Sequence, residues 1–184
     1  MAYYNKIDLY NDPRQIILTK MQAIDIDNEP EMNEFESSFL CGLLKEKKPK
    51  KIVEIGVAAG GTTAILLQCL EMLENDCRMY SIDCLEYFYA DKSKKTGFMG
   101  EEAKKNIGGT GRCKHTFLLG ISANLLNDIG PGIDFLILDT SHTLPGELLE
   151  FITCLPYLED DAIVVLHDIN LQHLGHINDN PELQ

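Results

Sequence analysis

Apolar residues along the chain follow two alternating rhythms. Dense runs rich in β-branched residues fall at 51–55, 78–83, 115–119, 133–139 and 162–166, and each is short enough to be a buried strand. Between them the spacing turns helical. Met32, Phe35, Phe39, Leu43 and Leu44 form one stripe, and Ile65, Leu66, Cys69, Leu70 and Leu73 form a second. Residues 100–107, 122–129 and 145–158 complete the helical set. Pro30 within Asn28-Glu29-Pro30-Glu31 suits a first helical turn, the lysines of 45–51 suit that helix's C-terminal end, and Gly108-Gly109 and Pro131-Gly132 punctuate later elements.

Strands alternating with helices in this way predict an α/β fold, a parallel sheet covered on both faces and wound by right-handed crossovers. Ligands of such sheets sit at the carboxyl ends of the strands. Here those ends carry Glu54 to Gly56, Asp83, Gly120, Asp139 and Asp168, so polar groups that close apolar runs are expected on one rim. After the first strand, Gly56, Gly60 and Gly61 supply the freedom of a sharp turn and room for a ligand to approach the backbone. The division expected is an N-terminal arm over 1–29, one domain over 30–170 and a tail over 171–184.

Composition narrows the choice of partner. With 16 Lys and Arg against 29 Asp and Glu, the formal charge of −13 repels a phosphate backbone and argues against nucleic acid. No run is long enough to span a bilayer and no signal peptide opens the chain, so a cytoplasmic protein without membrane contact is expected. The six cysteines contain no Cys-x-x-Cys pair and read as free thiols in a reducing compartment.

The segment Glu54-Ile55-Gly56-Val57-Ala58-Ala59-Gly60 resembles the acidic-x-Gly-x-Gly-x-Gly loop of class I S-adenosylmethionine-dependent methyltransferases, with Ala58 where glycine is commoner. Ile82-Asp83 resembles the acid after their second strand. Leu138-Asp139-Thr140-Ser141-His142 and Val165-Leu166-His167-Asp168 resemble the Asp-x-x-His segment and the His-Asp ending of the small-molecule O-methyltransferase branch. The resemblance implies a Rossmann-like doubly wound sheet of order 3-2-1-4-5. It also implies a cofactor site made by Glu54, Gly56, Ala58, Gly60, Thr62, Asp83, Ser122 and Asp139, with Asp83 on the ribose hydroxyls and Ser122 near the adenine.

The chemistry of the residues agrees. A carboxylate facing two vicinal hydroxyls makes charge-assisted hydrogen bonds worth roughly 1.5 to 3 kcal/mol each. A hydroxyl acceptor must lose its proton, either to a base, for which His142 with Asp139 is the candidate, or to a divalent cation such as Mg²⁺ on Asp139 and Asp168. The function implied is methyl transfer to a hydroxyl of a small molecule, a sugar or a phenol. Two other readings stand beside it. One is a degenerate member that binds the cofactor or acts as an interaction module, favoured by the incomplete metal set. The other is an NAD-dependent oxidoreductase, disfavoured because Glu54 beside the loop repels a pyrophosphate.

The family's sheet normally continues past the fifth strand into a helix and an antiparallel edge, and residues 169–184 contain no recognisable strand. The fifth strand is then an exposed apolar edge. Either the chain is shorter than its natural length, or the tail, the arm or a partner subunit covers that edge, so a homo-oligomer would form through the arm or through the fifth strand.

Overall fold

The computed structural model describes residues 32–87, 99–106, 111–140, 142–143 and 145–168. The arm over 1–29 and the tail over 171–184 lie outside the described residues, as do the proposed helix start at 28–31 and the glycine pair at 108 and 109.

Helix α1 (Glu34–Lys47) begins where Asn33 closes a capping box: its side chain accepts from the Phe35 and Glu36 amides at 2.9 and 3.1 Å, and Glu36 Oε2 accepts from the Asn33 amide at 2.8 Å. Two orphan amides of the first turn and the cap's own amide are thereby satisfied. The buried face is Leu40, Cys41, Leu43 and Leu44, whereas Phe35, expected on the stripe, is exposed in the first turn.

Strand β1 (Lys51–Ile55) leads through the glycine turn into α2 (Gly61–Met72), followed by β2 (Cys77–Asp83), α3 (Glu101–Asn106), β3 (Cys113–Leu119), α4 (Ser122–Ile129), β4 (Ile133–Leu138), α5 (Gly146–Cys154) and β5 (Leu158–Leu166). The five strands form one parallel sheet in the order β3-β2-β1-β4-β5, as the resemblance implied. β3 and β5 are its edges among the described residues.

Alternation along the strands divides the core. Ile52, Phe135 and Ile137 pack with α1 and α2 on one face, and Val53, Ile55, Leu136 and Leu138 pack with Leu126 and Cys154 on the other. Glu54 falls on the α2 face and Asp83 ends β2 beside the turn. Backbone hydrogen bonds continue past the strand ends, from the Gly56 amide to Ile82, Asp139 to Ile55, Gly120 to Asp83 and His167 to Leu138, at 2.8 to 3.0 Å. This aligns four polar loop starts on one rim.

The expected helix over 145–158 is shorter than its apolar spacing indicates. It ends at Cys154, a 3₁₀ turn spans Leu155–Tyr157 around Pro156, which has no amide to donate, and β5 starts at Leu158. The start of β5 escapes an apolar-run reading because Ile133 pairs with Leu158 while Phe135 pairs with Ile163, so residues 159–162, the first three of them acidic, bulge out of register. Lys47 Nζ anchors that bulge by a 2.7 Å ion pair to Asp161.

Candidate functional site

The glycine turn is fixed first by protein backbone. Gly56 has φ +94°, and a Cβ there would overlap the carbonyl of Asp139; Gly60 has φ +90°, and a Cβ would lie 2.7 Å from Gly100 Cα. These two glycines permit close approach of β4 and α3 to the loop. Ala58 adopts φ +49°, and its carbonyl accepts from the Gly100 amide at 3.1 Å. That left-handed conformation costs an alanine about 1 to 2 kcal/mol, so the departure from glycine is a matter of strain rather than of size.

Asp83 closes the loop from the other side. Its Oδ2 accepts from the Val57 and Ala58 amides at 2.9 and 3.0 Å, and Oδ1 accepts from the Leu85 amide at 2.9 Å. Three acceptor positions are filled, which leaves about one lone-pair position for a further donor. The loop therefore takes its shape from the same carboxylate that was expected to contact ribose.

A cavity of about 640 Å³ runs along the rim from Asp83 and Leu85, past residues 56–62, to Asp139, His142, His167 and Asp168. Of the expected site residues, Gly56, Ala58, Gly60, Thr62, Asp83, Ser122, Asp139, His142 and Asp168 line it. The hydroxyls of Thr62 and Thr140 are buried at its wall with no hydrogen-bond partner among the described residues. Buried hydroxyls without partners are costly.

Glu54 is not among the lining residues. It is buried, and its Oε2 accepts from Thr63 Oγ1 at 2.8 Å and Ser81 Oγ at 2.6 Å. Burial pushes its carboxyl up to about 7, opposed by those two hydrogen bonds. Ser81 also meets His115 Nε2 at 2.9 Å, and burial together with Lys104 lowers that imidazole to about 4. The chain Thr63, Glu54, Ser81, His115 ties α2 to three strands beneath the loop. Glu54 as a direct cofactor ligand is thus corrected: the alternation of β1 turns it into the core.

At the other end of the cavity Asp139 Oδ1 bonds His167 Nδ1 at 2.9 Å and lies 3.5 Å from His142 Nε2. The hydrogen bond to Asp139 raises His167 to about 9 against the opposing effect of burial. His167 Nε2 is 3.5 Å from Glu36 of α1, and its Nδ1 is 3.8 Å from Asp168. His142 and Asp168 both have φ +52°, a strained conformation that tends to collect at working sites. The groups whose ligand atoms cluster are Asp139, His142 and His167, in place of the expected pair Asp139 and Asp168.

His167, Glu36, Thr140 and Glu150 are the lining or supporting residues that sequence reasoning left without a role. His167 had a signal, being the polar residue directly after the fifth apolar run. Glu36 had one too, as the third residue of a capping box that its helix start concealed. Thr140 and Glu150 had none.

Residues 53–169 match the family model described as a methyltransferase domain, more than half of the chain, and the chain belongs to that family. By sequence, no curated protein matches it. Its fold is similar to the O-methyltransferase TomG of Streptomyces achromogenes, involved in tomaymycin synthesis and solved with SAM (TM-score 0.61, 17% identity, 93% of this chain and 71% of that one). It is also similar to SAH-bound methyltransferase PaMTH1 of Podospora anserina (TM-score 0.60, 16% identity, 95% and 75%). An O-methyltransferase of Bacillus cereus in complex with SAH gives 0.55 at 16% identity, over 95% and 74%. At these identities the likeness concerns the fold.

Proposed function

We propose that the protein transfers the methyl group of S-adenosylmethionine to a hydroxyl of a small molecule. The observation that carries this reading is the single cavity joining the glycine loop and Asp83 to the Asp139, His142 and His167 cluster. The orphaned hydroxyls of Thr62 and Thr140 and the remaining acceptor capacity of Asp83 suit a ligand with several polar groups. The known structures with SAM or SAH and this fold support the same ligand.

When bound, the donor supplies an electrophilic methyl on a sulfonium. Asp83, with about one acceptor position left, would take a hydrogen bond from a ribose hydroxyl at the β2 end, and the loop of residues 56–62 would line the rest of the donor's site. His142 takes the proton of the acceptor hydroxyl as its oxygen forms the new bond to carbon, while the electrons of the broken carbon–sulfur bond remain on sulfur. Asp139 orients His142 and stabilises the imidazolium that forms. Holding acceptor and donor in line contributes roughly 7 to 11 kcal/mol. The acceptor is a sugar or phenol hydroxyl, small enough for the cavity. His142→Ala is expected to leave donor binding within a few-fold of the parent while lowering transfer of labelled methyl about 100-fold or more. Unchanged transfer would remove His142 from the mechanism.

The donor set fits Mg²⁺ poorly, because that ion asks for hard oxygens in an octahedral shell and two of the three clustered groups are imidazoles. A nitrogen-accepting ion such as Zn²⁺ fits Asp139, His142 and His167 better, and it would lower the pKa of a bound hydroxyl. In a thermal shift series Mg²⁺ is therefore expected to leave the melting temperature unchanged. A rise with Mg²⁺ that Asp139→Asn abolishes would restore the oxygen site.

A further inference from the structure

At the end of the sheet opposite the cavity, β2 and β3 each begin on a cysteine. Cys77 and Cys113 are direct register partners on neighbouring parallel strands, so their side chains share the face of the sheet that carries Met79 and packs on α2. Neighbouring strands lie about 4.8 Å apart, and bridged cysteines have Cα atoms about 4.4 to 6.8 Å apart. The backbone thus holds the two residues within bridging reach. Their thiols are in contact: Cys113 donates to the Cys77 sulfur, which holds Cys77 below the ordinary thiol range and pushes Cys113 well above it. Burial, Asp134 and Asp76 oppose the shift of Cys77 and Lys50 assists it, whereas burial and Glu71 add to the shift of Cys113. Cys77 is buried, and Cys113 is half-buried on a strand that is an edge among the described residues, so a reagent in solvent meets the pair at Cys113. Cys41 and Cys69 also face each other, between α1 and α2, but at 0% and 3% exposure they are closed to solvent.

We infer that Cys77 and Cys113 form a reversible dithiol–disulfide site, closed by a low-molecular-weight disulfide of the glutathione type and reopened by a thiol. A thiolate of the pair attacks one sulfur of the small disulfide and expels its other half as a thiolate. The remaining member of the pair then attacks the protein sulfur of that mixed disulfide and expels the second half. Two protein thiols lose two protons and two electrons, and the small disulfide is reduced to two thiols. The bridge closes the chain from 77 to 113, which contains Asp83, Leu85 and α3. Neither cysteine lines the cavity, so the inference is independent of the proposed methyl transfer.

The test treats the native full chain with glutathione disulfide, blocks remaining thiols with N-ethylmaleimide under denaturation, and maps unreduced peptides by mass spectrometry. The expected result is a peptide pair joined through Cys77 and Cys113, lighter by two hydrogens than its reduced parts and separated by dithiothreitol. Cys77→Ser is expected to leave Cys113 carrying glutathione as a lasting mixed disulfide, because the thiol that resolves it is gone. Cys113→Ser is expected to slow modification of the buried Cys77 about 10-fold or more. The map of the parent decides the question even where a variant fails to fold. Both thiols recovered as maleimide adducts while exposed Cys84 takes up glutathione would overturn the inference. A bridge between Cys41 and Cys69 in place of this one would overturn it equally, as would Cys113 losing its glutathione in Cys77→Ser as fast as in the parent.

Discussion

Glu54 carries the largest difference between what the residues suggest and what they do. An acid opening a glycine loop reads as a charge that repels phosphate, and on that ground it argued against NAD. Its burial beneath the loop, bonded by Thr63 and Ser81, withdraws the argument, and family membership now stands in its place. The residue type was legible in the sequence. Its direction was set by the two-residue period of β1, which sends Glu54 to the side of Ile52 and away from the rim. Its titration has a measurable consequence. The folded carboxyl is raised from 4.5 to about 7, so the native state holds this proton more tightly than the unfolded chain. The stability it contributes is present below about 4.5 and is lost as pH rises through about 7. His115, lowered from 6.5 to about 4, acts oppositely as pH falls over that range, and His167, raised from 6.5 to about 9, acts in the same sense as Glu54 over its own range, so the parent's profile sums all three. Glu54→Gln isolates the first: denaturant titrations at pH 5 and pH 8 are expected to show the variant losing less stability with rising pH than the parent, by an amount of order 3 kcal/mol at most. Parallel profiles would mean that Glu54 titrates normally.

Among the elements, those bounded by sharp punctuation were legible and those bounded by polar structure were not. The helix over 122–129 and the strand at 51–55 coincide with α4 and β1, because Gly120, Gly130 and the glycine turn end them cleanly. β5 was read four residues late, since its opening bulge carries Glu159, Asp160 and Asp161. α1 was misjudged because Pro30 is a familiar start signal while the working one, Asn33 with Glu36, lies three residues on. Asn33→Ala is expected to lower stability by about 1 kcal/mol, read as a lower urea midpoint at constant slope. Glu36, whose other oxygen faces His167, accepts from the backbone amide of residue 33 and keeps that bond in the variant. An unaltered midpoint would show that the box contributes little to holding α1.

At the scale of the whole molecule, parallel strands in the order β3-β2-β1-β4-β5 bring together residues far apart in sequence, Asp83 from one end and Asp139, His142 and His167 from the other. That convergence was legible because three apolar runs ended in acids or histidine, at Asp83, Asp139 and His167-Asp168, and the other two in glycine. The grouping within it was not, since which carboxylate meets which imidazole depends on loop conformations such as those of His142 and Asp168 at positive φ. Asp83 joins the two levels, shaping the loop through Val57 and Ala58 while lining the cavity. Asp83→Ala is expected to weaken S-adenosylhomocysteine about 10- to 100-fold by calorimetry, and undiminished affinity would leave Asp83 a structural residue only.

Among the described residues no helix is long and apolar enough to cross a membrane. The most direct measurement is calorimetry of the full chain with S-adenosylmethionine and, separately, with NAD. Saturable one-to-one binding of S-adenosylmethionine with no heat of binding from NAD is the expected result. Binding of NAD without binding of S-adenosylmethionine would contradict it.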